Sequence, residues 1–464
     1  MTNEKKQGLN IGVRSFITAI AVIFVLMVLS YVLTLVLPSG SYTRMEDANG
    51  KVVIGDYTTE EREFPFWKWL LSPILVLNAT GSGSLIAVIV FLLVIGGVFN
   101  SLDRCGLIKY MLDRLAHRFG GVRYRLMAMV VLFFMALGSL VGSFEECVPL
   151  VPIVVALAVN LGWDALTGVG MSLLAAGCGF AAGVCNPFTV GVAQQLAELP
   201  MFSGAWMRLI SFAAIYGLLM AFLTLYAKKI EKPIAENTVQ EAFVADAKLD
   251  RALICFASIL GTGIVTVLCS GFIPALQDYT MIIVAVMFLV AGIVSTLVSG
   301  MSGKSLGKTS LDGVVGILPA VIMILMASSI KFTLEEAGTL DTILHEAVQI
   351  AETMPGWLVI LFIYLIVLVM NFFIPSGSAK AFMLIPLIVP MADIFGISRQ
   401  LCVMAFAFGD GFSNVLYPTN PALLISLGLA GVSYGNWFKW SWKFQALNLL
   451  LTGSLLLLGL VIGY

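Results

Sequence analysis

Apolar runs of about 20 residues recur from one end of this 464-residue chain to the other, and each is long enough to cross a bilayer as a helix. Backbone in lipid must satisfy its own hydrogen bonds, so the expected fold is an all-α polytopic membrane protein. Composition agrees: 59% of the residues are hydrophobic and only 11% charged, against about 25% charged in soluble proteins. The formal net charge of −1 offers nucleic acid nothing to bind. The expected partners are therefore the lipid bilayer and a small-molecule solute, with a homodimer as the assembly to test. Seven scattered cysteines, none in a CxxC pair, read as membrane-packed thiols. His117 and His345 lie far apart, and no HExxH or Ser/His/Asp pattern is present. No metal, cofactor or enzymatic activity is expected. The start MTNEKKQGLN has no small-residue cut site, so the first apolar run reads as a retained anchor.

Lys and Arg mark cytoplasmic loops. Lys5, Lys6 and Arg14 put the N-terminus inside, and segment 14–37 runs outward. The acidic stretch 38–66 belongs outside, where KVVIGDYTT can form a small hairpin. FPFWKWLLSPILVL, 64–77, reads as one interfacial helix. Segment 84–101 returns inward to a basic surface helix over 106–118. Lys228, Lys229, Lys232, Lys304 and Lys308 are again inside, and the C-terminus falls outside in a cytoplasmic membrane.

A shift of 234 residues brings Pro152 onto Pro386, Gly162 onto Gly396, Gly177 onto Gly411 and Asn186-Pro187 onto Asn420-Pro421, with no gap over 142–187. The charge pattern gives the two copies opposite orientation. An inverted-topology repeat with interrupted helices is a layout of secondary transporters. The first repeat covers 1–228, with a re-entrant hairpin over 122–163 and a discontinuous transmembrane helix over 164–195. A cytoplasmic linker follows at 229–250. The second repeat covers 251–464, with an extra helix at 252–275, a hairpin at 357–396 and a broken helix at 399–428. Charge parity does not separate a hairpin at 126–163 from two full crossings; the short polar GSFEE favours the hairpin, because irregular backbone at membrane depth must line a cavity.

Each copy supplies two polar breaks. VGSFEEC (141–147) and PSGSAKA (375–381) are the hairpin tips. GVCNPFT (183–189) and YPTNPAL (417–423) interrupt helices, since proline removes a helix hydrogen bond. The half-helix ends suit an anionic group and a cation. Candidate substrate-binding residues are Ser143, Glu145, Glu146, Asn186, Pro187, Thr189, Ser376, Ser378, Lys380, Asp410, Ser413, Asn414, Thr419 and Asn420.

At LVIGGVFN, GSFEECVPLVPI, NPFTVGVAQ, NFFIPSGSAKAFMLIPL and AFGDGFSNVLYPTN the chain resembles the YfcC-like family, grouped with basic amino acid antiporters of the ArcD type and anaerobic C4-dicarboxylate carriers. The resemblance implies hairpin tips and helix breaks that hold carboxylate and sodium, here Ser143, Glu145, Glu146, Asn186, Thr189, Ser378, Lys380, Thr419 and Asn420. The tips read SFEE and SGSAK in place of a Ser-Asn-Thr triplet, so Na+ or H+ coupling stays open.

Charges at membrane depth pair or do work. Glu146 and Lys380 are repeat mates and a candidate pair across the tips. Three acids against one base favour an amino acid, basic ones above all, over a dicarboxylate. The expected function is a secondary active transporter, an antiporter for a small amino acid; a carboxylate symporter or exchanger, and then a channel or sensor subunit, are the alternatives.

Overall fold

A computed structural model of the chain describes residues 13–46, 52–60, 62–79, 82–111, 114, 122–142, 144–200, 202–231, 245–270 and 280–464. The described residues are mostly helical, and among them eight helices are long and apolar enough to cross a membrane. The first apolar run forms α1 (Val13–Val36). After it, β1 (Gly40–Glu46) and β2 (Val52–Thr59) pair antiparallel. The expected hairpin is thus present, with 40–46 as its other strand. The Ser41 hydroxyl, and after it the Arg62 guanidinium, hold the Glu60 carboxyl below the usual carboxylate range. That contribution to the sheet is full above the ordinary Glu range and is lost as acidification passes the lowered value.

The aromatic segment 64–77 is not one helix. Pro65 and Pro73 cut it into α2 (Phe66–Leu70), α3 (Ser72–Leu75) and a 3-10 turn at Val76–Asn78, because each proline fits only a first helical turn. Next comes α4 (Ser82–Arg104). Of the basic surface helix, 107–111 is helical, and 112, 113 and 115–118 lie outside the described residues.

The expected hairpin begins with α5 (Arg123–Ala136), which continues as a π turn to Val141. Gly142, at φ +78°, and Phe144 interrupt it, and a 3-10 turn (Glu145–Leu150) leads into α6 (Val151–Asn160). The far ends of the arms meet: the Arg123 guanidinium donates to the Leu161 carbonyl at 3.4 Å, and the Tyr124 and Trp163 rings lie 5.5 Å apart. Then α7 (Ala165–Ala182) stops at Gly183, a π turn runs from Pro187 to Gly191, and α8 (Val192–Leu196) ends the segment. The scaffold helix α9 spans Ala205–Ile230.

The second half follows. Its extra helix α10 (Ala247–Ser270) starts within the stretch expected as linker, of which 232–244 lie outside the described residues. α11 (Thr280–Val298), α12 (Gly303–Glu336) and the amphipathic α13 (Thr339–Glu352) follow. α14 (Gly356–Phe373) and α15 (Gly377–Ile394) are the arms of the second pair. A Cβ on Gly356 would lie 3.7 Å from the Phe395 ring, so these far ends also meet. α16 (Arg399–Asn414) and α17 (Pro421–Leu429) are two halves of one interrupted segment, and α18 (Tyr434–Ile462) closes the chain.

Local geometry recurs at the 234-residue shift. Gly162 and Gly396 both take positive φ. Trp163 N donates to Ala158 O as Ile397 N donates to Ala392 O. Asp164 accepts from Thr167 N and its mate Ser398 from Leu401 N, each capping a helix start. At the centre α7 and α16 cross through glycines: a Cβ on Gly177 would meet Val415, and one on Gly411 would meet Ala181. Each contact is the other's image under the shift.

Candidate functional site

Four interruptions converge on one cavity. Asn186 Oδ1 accepts from Phe188 N at 3.0 Å and Thr189 N at 3.3 Å. Its mate Asn420 Oδ1 accepts from Ala422 N at 2.9 Å and Leu423 N at 3.4 Å. Both asparagines therefore start the half-helix that follows a break, satisfying donors that proline has left exposed. The first break is fastened to the first tip, since Ser139 Oγ accepts from Val184 N at 3.0 Å and Ser139 O from Cys185 N at 3.1 Å.

Between tips and breaks lies a cavity of about 470 Å³, within the range of about 300–1,000 Å³ usual for small-molecule sites. Glu145, Thr189, Ser376, Ser378, Asn414 and Asn420 from the sequence-predicted set line it. Phe144, Phe180, Phe188 and Phe373 supply apolar wall, and α12 adds Lys331 and Glu335, themselves paired at 3.5 Å. Asn186 and Thr419 are buried without lining it. The Ser143 residue and the side chains of Glu146 and Pro187 lie outside the described residues.

Lys380 departs from expectation. It is fully buried and does not line the cavity. Its ammonium donates to Asp410 Oδ1 at 2.6 Å, to the Ile374 carbonyl at 3.1 Å and to Asn371 Oδ1. An ammonium has three donors, and these three partners use them, with Asp410 as the described counter-charge; the expected pairing with Glu146 falls on a side chain outside the described residues. Lys380 and Asp410 stand on adjacent packed helices, α15 and α16, behind the tip. Asn371 completes the layer, donating to Asp410 O, Ser413 Oγ and Asn414 Oδ1, and Asn414 Oδ1 also accepts from Asn420 Nδ2 at 3.0 Å. Lys380, Asp410 and Ser413 thus stand one layer behind the cavity, linked to it through Asn414, Asn420 and the backbone of Ile374. The sequence reading missed Asn371 and Lys331; the signal was a lone polar residue in the apolar run LIVLVMNFF and a lone charge in LMASSIKF.

Several buried polar atoms at the site have no hydrogen-bond partner among the described residues: Asn186 Nδ2, Thr189 Oγ1, Asp410 Oδ2 and Thr419 Oγ1. Buried groups of this kind cost about 1–3 kcal/mol each unless satisfied, and polar groups lining a solute path are where that cost has a use.

The family model DcuC, C4-dicarboxylate anaerobic carrier, matches residues 16–461. The chain is 31% identical, over 77% of its length and 74% of the relative's, to the Escherichia coli (strain K12) protein named "Putative basic amino acid antiporter YfcC". It is 24% identical, over 65% of its length and 69% of the relative's, to the "Citrate transporter" of Bacillus subtilis (strain 168). Among solved structures, the Neisseria gonorrhoeae MtrF antimetabolite efflux pump is similar with a TM-score of 0.48 and 16% identity, covering 96% of this chain and 95% of that one.

Proposed function

The chain belongs to the C4-dicarboxylate anaerobic carrier family and is a multi-pass membrane transporter, and we propose that its cargo is a small amino acid, basic ones best, moved by exchange across the cytoplasmic membrane. The observation that carries this reading is where the charges fall. Lys380 is neutralised by Asp410 behind the tip, and Lys331 is paired with Glu335 on the wall. Glu145 lines the cavity with no ion pair among the described residues. A cationic or zwitterionic amino acid brings the missing positive charge, and its carboxylate meets the positive dipole end of α17 at Asn420. The name of the Escherichia coli relative points the same way.

The cavity lies at the interface of an inverted repeat with two re-entrant hairpins and two discontinuous helices. In support, the first pair of arms has its ends beside the α9 terminus, where Arg123 pairs with Glu231 at 2.7 Å. The second pair has its ends at the opposite end, just past α8 and before the start of α9, where Arg399 pairs with Glu198 at 2.9 Å. The first end carries Lys228, Lys229 and Arg114 and is the cytoplasmic one, which leaves the N-terminus inside and the C-terminus outside. Exchange runs down the counter-substrate's gradient, any coupling of net uptake to Na+ or H+ is read from uptake in Na+-free buffer at fixed pH, and the functional unit is a homodimer, to be read by light scattering in detergent.

A second reading, exchange of a C4-dicarboxylate or other carboxylate, is favoured by two Asn-capped half-helix ends and by the citrate-transporter relative. A thermal-shift screen of the purified protein separates the two. The proposal requires stabilisation by arginine, lysine or ornithine, and stabilisation by succinate, fumarate or citrate alone overturns it.

A further inference from the structure

The surroundings of the Lys380 ammonium are those of a cation site. Its three ligands are all oxygens, and they come from three places: the backbone carbonyl of Ile374 where α14 ends, the amide oxygen of Asn371 on α14, and the carboxylate of Asp410 on α16. A carboxylate, an amide oxygen and an unwound-backbone carbonyl form the donor set that a hard cation takes, and such sets at helix interruptions hold coupling ions in transporters. A second oxygen of the same carboxylate, Asp410 Oδ2, has no partner among the described residues. It faces Gly377 so closely that a Cβ there would lie 2.6 Å from it. Nothing at the site is exposed: Lys380 and Asp410 are both at 0%.

The ammonium is also wired to the cavity. Asn371 holds it through Oδ1 and, through Nδ2, holds Asn414 Oδ1 at 2.9 Å; that oxygen in turn accepts from Asn420, which starts α17 at the cavity wall. A cation in this cage fixes both the second tip and the second break.

We propose that the Lys380 side chain is a tethered cation, filling with its ammonium the oxygen cage that a mobile Na+ would otherwise occupy, so that substrate binding is independent of Na+. The functional consequence rests on the transporter reading given above; the cage itself is defined without reference to any substrate. A structural ion pair alone would fix the tip equally well but would not make the cage accept other cations once the side chain is cut back.

Lys380→Ala removes three methylenes and the ammonium, which n-propylammonium matches. The thermal midpoints of wild type and Lys380→Ala are measured in NaCl, n-propylammonium chloride and choline chloride at equal ionic strength. Wild type should show one midpoint in all three. Lys380→Ala should be lowered in choline and raised by Na+ or n-propylammonium, by roughly 3 °C at about a hundredfold excess over the dissociation constant. The double variant Lys380→Ala with Asp410→Ala, which lacks the anionic ligand, should lose that response. A folded Lys380→Ala that responds to neither cation overturns the proposal. So does a wild-type protein whose affinity for its stabilising substrate falls tenfold or more when choline replaces Na+; this arm decides the matter if Lys380→Ala cannot be purified. Because the midpoint shift needs no amino acid, failure of the cage and failure of the amino acid reading are told apart.

Discussion

Gly411 packs so tightly on α7 that a Cβ there would fall 2.3 Å from the Cα of Ala181. The contact is backbone to backbone, so no side chain can yield. Its image, Gly177 against Val415, would be 2.5 Å from a Cγ. Gly411→Ala should therefore force the two interrupted helices apart at a cost of about 1–3 kcal/mol, read as a lowered unfolding midpoint. Gly261→Ala, where nothing lies within 4 Å of the new Cβ, should leave the midpoint unchanged or slightly raised. Equal behaviour of the two variants would contradict the close crossing.

Asp410→Asn should cost on the order of 3–5 kcal/mol, because it leaves the buried Lys380 ammonium without its counter-charge. Adding Lys380→Met to it should restore part of the loss, since no charge is then stranded. Expression level and midpoint on both proteins check this. An Asp410→Asn protein as stable as wild type would mean that the buried pair carries no stability.

Much of this was legible in the chain. The 234-residue shift located both helix interruptions and the matching turns because Gly and Pro report backbone conformation directly: Gly162 and Gly396 take positive φ, and Asn186 and Asn420 cap the half-helices that follow them. The pairing of Lys380 was not legible. Repeat symmetry relates Lys380 to Glu146, but mates in a duplicated fold need not touch, and Lys380 takes the acid on its neighbouring helix. Nor could the apolar run 409–427 say where its helix stops: Asp410 and Asn414 stay inside α16, and only 415–420 is non-helical, because the first proline of the run is Pro418.

Glu145→Gln should weaken binding of a basic amino acid by roughly 10- to 150-fold, the worth of a hydrogen bond to a charged group of about 1.5–3 kcal/mol. Succinate binding should not fall, because an acid has been removed from the cavity. Isothermal titration on both proteins reads the two arms. Undiminished affinity for the basic amino acid would remove Glu145 from the site.

Asn186→Ala and Asn420→Ala should each cost about 1 kcal/mol of stability through the lost cap and, in addition, reduce exchange. Ser302→Ala, which removes the cap Ser302 Oγ makes by accepting from Ser305 N outside the cavity lining, should cost a similar amount and leave exchange intact. Parallel loss of exchange in all three would show that the effect is stability alone.

A short Gly-Ser insertion near Asn237 should leave exchange unchanged at normal membrane expression, since the stretch between α9 and α10 is polar, mixed in sign and without an apolar face. Lost exchange with normal expression would place that stretch in the moving machinery.

The central claim, an exchanger for an amino acid, is tested most directly by counterflow in proteoliposomes. Vesicles containing the purified protein are loaded with unlabelled arginine and diluted into labelled arginine. The account predicts saturable entry that internal arginine accelerates and that needs correspondingly more arginine in Glu145→Gln. Entry that rises linearly with concentration and ignores internal arginine, or acceleration by internal succinate but by no amino acid, would contradict it.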